Sequence, residues 1–214
     1  MKYIVVLYDG MADYPVPALG GKTPMELAKK PLLDSLARNG EIGLVKTVAE
    51  GLKPGSDIAN MSVLGYNPKE CYTGRSPLEA MSMGLTMEPD HVAYRCNIVT
   101  LSDEGEYDEK IMLDHSADEI TTAEADELIK ALDEALGDEI KKFHTGISYR
   151  HCLIWKDGNE HYDFARPHDI IGRCIRDYLP SEDNGGAEFL AYMKEGAKVL
   201  EHHPVNEARR ARGL

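Results

Sequence analysis

Two serines, an aspartate and an asparagine crowd into KPGSDIANMSVLGY (53–66). A serine hydroxyl becomes a nucleophile only when a base or a metal lowers the cost of its alkoxide. At a helix N-terminus it also stands among free backbone N–H groups that suit an incoming phosphate. Ser56 and Ser62 both meet that description, and Asn60 is able to donate a hydrogen bond to a phosphoryl oxygen. Either serine serves equally well as a plain helix cap. Residue types alone do not separate the two roles.

Asp9 follows the apolar run YIVVL (3–7) and precedes Gly10. Ligands bind at the C-terminal ends of strands in an open parallel sheet, so a carboxylate there is placed to hold a metal, or simply to start a turn through its own backbone bonds. RPHDIIGR (166–173) gathers two arginines, a histidine and an aspartate in a loop-like stretch. Arginine clusters recognise phosphate or carboxylate through paired hydrogen bonds, and a solvated loop has the same composition. LGGKT (19–23) resembles the tail of a phosphate-binding P-loop, but position 16, where that motif needs glycine, is valine, and Pro24 comes directly after the threonine. A P-loop kinase is thereby excluded. The eight histidines show no H-E-x-x-H pattern, and adjacent His202 and His203 point in different directions on a helix.

The elements that must carry these residues alternate between strand and helix. YIVVL reads as a buried strand. Thr23–Glu26 forms a capping box with proline at the first helical position, and Pro31 must interrupt that helix, so a short helix and a second one ending at Gly40 are expected. IGLVKTV (42–48) is the next strand, and strand–helix–strand order favours a parallel α/β sheet. From about residue 86 the texture changes. HVAYRCNIVTL (91–101) and ISYRHCLIW (147–155) read as sheet strands. Between them, Thr121–Glu124 offers a second capping box before the stripe Ala125, Leu128, Ile129, Leu132, Leu136, closed by Gly137. AEFLAYMKEGAKVLEHH (187–203) reads as an amphipathic helix.

The bulk composition narrows the partners. A net charge of −13 argues against nucleic acid or an anionic membrane, both of which need a basic surface. Residues 101–140 carry 15 Asp and Glu against Lys110 and Lys130 alone, which reads as a solvated face. The four cysteines form no C-x-x-C pair, and the N-terminal apolar run is too short for a secretory or spanning segment, so a cytoplasmic chain with reduced thiols is expected.

Taken together and in order, YDGMAD, GGKTPMELAKKPLLDSLARNG, KPGSDIANMSVLGYNP, YTGRSPLEAMSMG, VAYRCNIVT and HHPVN resemble the archaeal-type cofactor-independent (2,3-bisphosphoglycerate-independent) phosphoglycerate mutases and their bacterial relatives, of the alkaline phosphatase superfamily. The resemblance implies part of a phosphatase-like parallel-sheet α/β domain with a smaller inserted α/β domain. The boundaries expected from it are 1–85 for the N-terminal part, 86–205 for the insert, and 206–214 for the start of the return. It implies that Ser62 accepts the phosphoryl group, and that Asp9 and Ser62 help bind two divalent metals (Mn, Mg, Zn or Co). It also implies that Arg95, Arg150, Asp163 and His168 of the insert meet a small phosphorylated substrate, phosphoglycerate, converting the 3- to the 2-isomer in glycolysis through a phosphoserine.

Two departures stand out. The family is about twice this length, and its remaining metal ligands fall beyond NEARRARGL, so the chain is expected to be an N-terminal portion without mutase activity of its own. An incomplete sheet would leave an open edge that invites self-association. And where archaeal mutases carry an arginine-rich stretch, this chain has LDHSADEI (113–120), as in a bacterial branch proposed to act as homoserine kinases. The alternatives are therefore a related metal-dependent phosphotransferase of that type, or a non-catalytic binding module.

Overall fold

The computed structural model describes residues 2–8, 10–160, 162, 164–181 and 185–214. The chain divides into two compact units, Met1–Tyr72 and Thr73–Leu214.

In the first unit helix formation obeys local signals. The capping box forms: Glu26 N–H donates to Thr23 Oγ1 at 3.2 Å and Thr23 N–H donates to Glu26 Oε2 at 2.7 Å, opening α1 (Pro24–Leu27). Pro31, which has no N–H to lose, starts α2 (Pro31–Asn39). After a glycine-containing turn come α3 (Ser56–Val63) and α4 (Pro68–Cys71).

The strands expected at 3–7 and 42–48 do not form. Among the described residues neither run joins a ladder, and Ile4, Ile42 and Leu44 are exposed, Leu44 completely. A β-branched run has the propensity for a strand, but the strand exists only when another chain segment takes up its N–H and C=O groups. The described residues of this unit supply no such neighbouring strand. Every ladder among the described residues is antiparallel, so the parallel sheet expected from strand–helix–strand order is not seen. The architecture is mixed α/β.

The second unit begins with α5 (Arg75–Ser82) and holds a three-stranded antiparallel sheet. Its strands are β1 (His91–Asn97), β4 (Lys141–Ile147) and β5 (Arg150–Lys156), with β5 central; a two-stranded ribbon pairs β2 (Thr100–Leu101) with β3 (Met112–Asp114). HVAYRCNIVTL is thus two strands. ISYRHCLIW spans a hairpin, because Ile147 pairs with Arg150 and Ser148 turns the chain at φ +55°. Lys141–Ile147 does not read as a strand because its lysines, histidine and glycine break the apolar alternation. Its register shifts between His144 and Ile147, and a side chain on Gly146 would meet the Arg150 carbonyl at 2.1 Å.

Helix α6 (Thr122–Leu136) has the expected capping box at Thr121 and buries Ala125, Leu128, Ile129 and Leu132. These four join Ile98, Ile120 and Tyr149 in the main core, with Val199, Leu200 and Val205 packed against it from α7 (Ala187–Glu201) and α8 (Pro204–Arg210). Phe189 of α7 packs on Trp155 with ring centroids 5.0 Å apart. The opposite face of the sheet is covered by α5 and the residues after it: Ala80, Met83, Leu85 and Met87 lie on Ala93, Cys152 and Ile154. No described helix is long and apolar enough to cross a membrane.

Candidate functional site

The two serines occupy opposite ends of α3. Ser56 is its first residue, after the extended Gly55, so the N–H groups at the helix start lie beside Ser56. Ser62 lies in the last turn, half-buried, and its hydroxyl donates to the Ile58 carbonyl at 3.2 Å. The expectation that Ser62 sits at a helix N-terminus is therefore corrected: the free N–H groups at the start of α3 lie at the other end of the helix from it. Gly65, at φ +88°, reverses the chain directly after it. Nearby, Tyr72 donates to Asp57 Oδ2 at 2.5 Å and ties α3 to the end of α4.

Asp9 and Asp163 lie outside the described residues. Among the described residues no three histidine, cysteine, aspartate or glutamate side chains gather as a metal would require.

The second unit brings its three described candidates together. Arg95 lies opposite Cys152, and Asn97 opposite Arg150, in the β1–β5 ladder, so Arg95, Asn97 and Arg150 share the face that α5 packs against. Arg150 Nη2 donates to the Tyr149 hydroxyl at 2.8 Å while its guanidinium stacks 5.0 Å from the same ring. Tyr149 meets the His115 ring edge-on at 5.4 Å, and His115 meets His168 at 6.1 Å. The result is a connected row of Arg150, Tyr149, His115 and His168, with Asn97 opposite Arg150 and Arg95 two residues along the same face. Two guanidinium groups, two imidazoles, a phenol and an amide suit a small anion bearing hydroxyl groups.

Sequence reasoning missed Asn97, Tyr149 and His115. The last was signalled by its place in LDHSADEI, and the backbone there is unusual: Ala117, Asp118 and Glu119 all have positive φ, between 48° and 56°. Successive left-handed residues with side chains are strained and persist only when neighbours enforce them. Here Asp114 accepts from Ser116 N–H and Oγ at 3.0 Å and from Asp118 N–H at 2.6 Å, while Arg209 of α8, buried, donates to the Ala117 carbonyl. Burial alone would raise the Asp114 carboxyl; the bonds from Ser116 and Asp118 outweigh it and hold the group below the usual carboxylate range. His115 Nδ1 lies 3.4 Å from Asp114 Oδ1 but makes no hydrogen bond and is buried.

Residues 37–206 match the family model of 2,3-bisphosphoglycerate-independent phosphoglycerate mutase. A 2,3-bisphosphoglycerate-independent phosphoglycerate mutase of Methanosarcina barkeri is 48% identical over 207 residues, which is 96% of this chain and 50% of that protein. Among solved structures, a cofactor-independent phosphoglycerate mutase of Thermoplasma acidophilum matches 95% of this chain and 54% of its own at 28% identity and a TM-score of 0.50. A Pyrococcus horikoshii protein matches 96% of this chain and 46% of its own, also at 28% identity, with a TM-score of 0.66. The chain spans about half the length of the curated relatives it matches.

Proposed function

The chain belongs to the 2,3-bisphosphoglycerate-independent phosphoglycerate mutase family, and on that premise we propose that it supplies the phosphoryl-accepting serine and the substrate-binding domain for interconversion of 3- and 2-phosphoglycerate. The observation that carries this reading is the convergence of Arg95, Asn97, Arg150 and His168 with Tyr149 and His115 at one end of the β1–β5 pair. The substrate's carboxylate and hydroxyl groups are held there. Ser62 Oγ forms a bond to phosphorus as the bond from phosphorus to the substrate oxygen breaks; the serine's proton leaves with the glycerate. Return of the phosphoryl group to the other hydroxyl restores Ser62. The cationic row keeps the glycerate oriented between the two steps.

Within this reading, 3–7 and 42–48 become strands only when the rest of a phosphatase-like domain, which extends over residues 1–85 and resumes after 205, is there to pair with them. Their exposed Ile4, Ile42 and Leu44 support pairing with segments found in the other half of the longer relatives. Two divalent metals and Asp9 as a ligand belong to the same proposal. A related reading, phosphoryl transfer to an amino-acid hydroxyl, is supported by the stretch LDHSADEI (113–120), whose Asp118 and Glu119 are exposed carboxylates, in place of the arginine-rich stretch that the resemblance leads one to expect.

The test is a coupled mutase assay with Mn²⁺, on the 214-residue chain and on a version extended to the relatives' length, with intact mass read after incubation with 3-phosphoglycerate. The extended version turns over and gains one phosphoryl group; the short chain does neither. Ser62→Ala abolishes transfer, and Ser56→Ala keeps most of it. The opposite pattern for the two serines refutes the assignment, and transfer to homoserine in place of isomerisation selects the second reading.

A further inference from the structure

Helix α5 sets one carboxylate, that of Glu79, over the polar end of the sheet. Its Oε1 stands 3.3 Å from Arg75 Nε, one turn earlier on the helix, and 3.6 Å from Arg95 Nη1 on β1. Two guanidinium groups therefore share one carboxylate oxygen, and the trio keeps one uncompensated positive charge. Both separations are longer than a good N–H···O bond. Arg95 Nε is buried and bonded to nothing, and on the same face two positions along β1 so is Asn97 Oδ1. Cys152, opposite Arg95, forms the floor; its thiol is pushed up to about 12, first by burial and then by the charge of Glu79 above it.

An Arg–Glu pair four residues apart on a helix is by itself an ordinary surface contact of small worth. This one differs because a second arginine reaches it from another element, with an unfilled donor beside it and an unfilled acceptor two residues on. A guanidinium presents its N–H groups as a planar fork that matches two oxygens of a carboxylate or phosphate. Sharing a single oxygen leaves both forks incomplete. Completing them takes an anion with more oxygens than Glu79 offers here.

We propose that Arg75, Arg95 and Asn97 form an oxyanion subsite in which Glu79 is the resident counter-ion, displaced when the carboxylate or phosphate of a small hydroxylated ligand enters. The two arginines then share the oxygens of the ligand's anionic group, and Asn97 Oδ1 accepts from a ligand hydroxyl. Glu79 is a positioning residue: it holds both arginines in register while the subsite is empty and competes with the ligand for them. The identity of the ligand as phosphoglycerate rests on the function proposed above, whereas the competition does not.

The full 214-residue chain, with Glu79→Gln and Arg75→Ala variants, is titrated with 3-phosphoglycerate, glycerate, inorganic phosphate and glycerol, tracking backbone amide shifts of β1 and β5 by NMR. Removing the competing charge from this partly exposed site tightens 3-phosphoglycerate about fivefold, and losing Arg75 weakens it by about the same factor. The gain in Glu79→Gln is absent for neutral glycerol and fades as salt rises. A gain with glycerate assigns the subsite to the carboxylate end, and a gain with inorganic phosphate to the phosphoryl end. Unchanged or weaker anion binding by a folded Glu79→Gln chain overturns the proposal and leaves Glu79 a structural clamp, as does absence of anion binding in every variant. Tightening of inorganic phosphate without any response to 3-phosphoglycerate keeps the subsite and removes the phosphoglycerate reading.

Discussion

His151 is set up to make the second unit acid-sensitive in a way that a single substitution isolates. It lies on β5, 3% exposed, with Nδ1 accepting the Gly146 N–H at 3.2 Å and Nε2 bonded to nothing. Burial pushes its pKa down from 6.5 to about 4, against a small opposing pull from Asp126. The folded chain therefore resists a proton that the unfolded chain accepts below pH 6.5. Stability from this group is complete above that pH and falls as the pH drops through the window from 6.5 to about 4. Between pH 7.5 and 4.5 the two values correspond to roughly 2 to 3 kcal/mol. Trp155, the single tryptophan, lies on the same strand and reports unfolding of this unit. Urea melts read by its fluorescence, at both pH values, are compared for the wild type and His151→Asn, which keeps an acceptor for Gly146 but does not titrate. The wild type loses roughly 2 to 3 kcal/mol more than the variant over that interval. Parallel losses in the two proteins refute the reasoning, and a His151 ring titrating near 6.5 by NMR refutes it directly.

Two further substitutions probe the supports of the site. Gly146→Ala places a Cβ 2.1 Å from the Arg150 carbonyl, a backbone atom with no freedom to give way, and destabilises the second unit by about 3 kcal/mol in the same melts; a neutral result means the β4 bulge relaxes. Arg209→Ala removes a buried cation that meets Glu124 at 3.3 Å and the Ala117 carbonyl, costing about 3 kcal/mol and freeing the left-handed turn at 117–119; unchanged hydrogen exchange at those amides shows that Asp114 suffices to hold it.

The local elements were legible because their causes are local. Thr23 and Thr121, each with glutamate three residues later, announce α1 and α6, and both capping boxes form. The α6 stripe is a helical period read off the chain, and four of its five positions are buried. The resemblance in the N-terminal motifs likewise lies in the order of residues and needs no coordinates. Lys141–Ile147 is different. Its polar residues do not ask to be a strand; it becomes one because β5 offers a ladder edge beside α6. YIVVL and IGLVKTV show the converse, since propensity without a neighbouring strand yields exposed, extended chain.

The site divides along the same line. Ser62, Arg95, Arg150 and His168 were candidates by type and family order, and nothing in sequence spacing could say that three of them share one unit's end. That was decided by the antiparallel register, which puts Asn97 against Arg150, and by the hairpin at Ser148, which brings Tyr149 under His115. Nothing in residue order joins Glu79 to Arg95; the approach of Arg95 to the carboxylate oxygen that Arg75 also meets exists only because α5 lies across β1. Sequence determines which groups a chain owns and how each segment bends, because those depend on bonds and neighbours a few residues away. Which charges face one another is decided by packing, because it depends on segments whose only connection is through space.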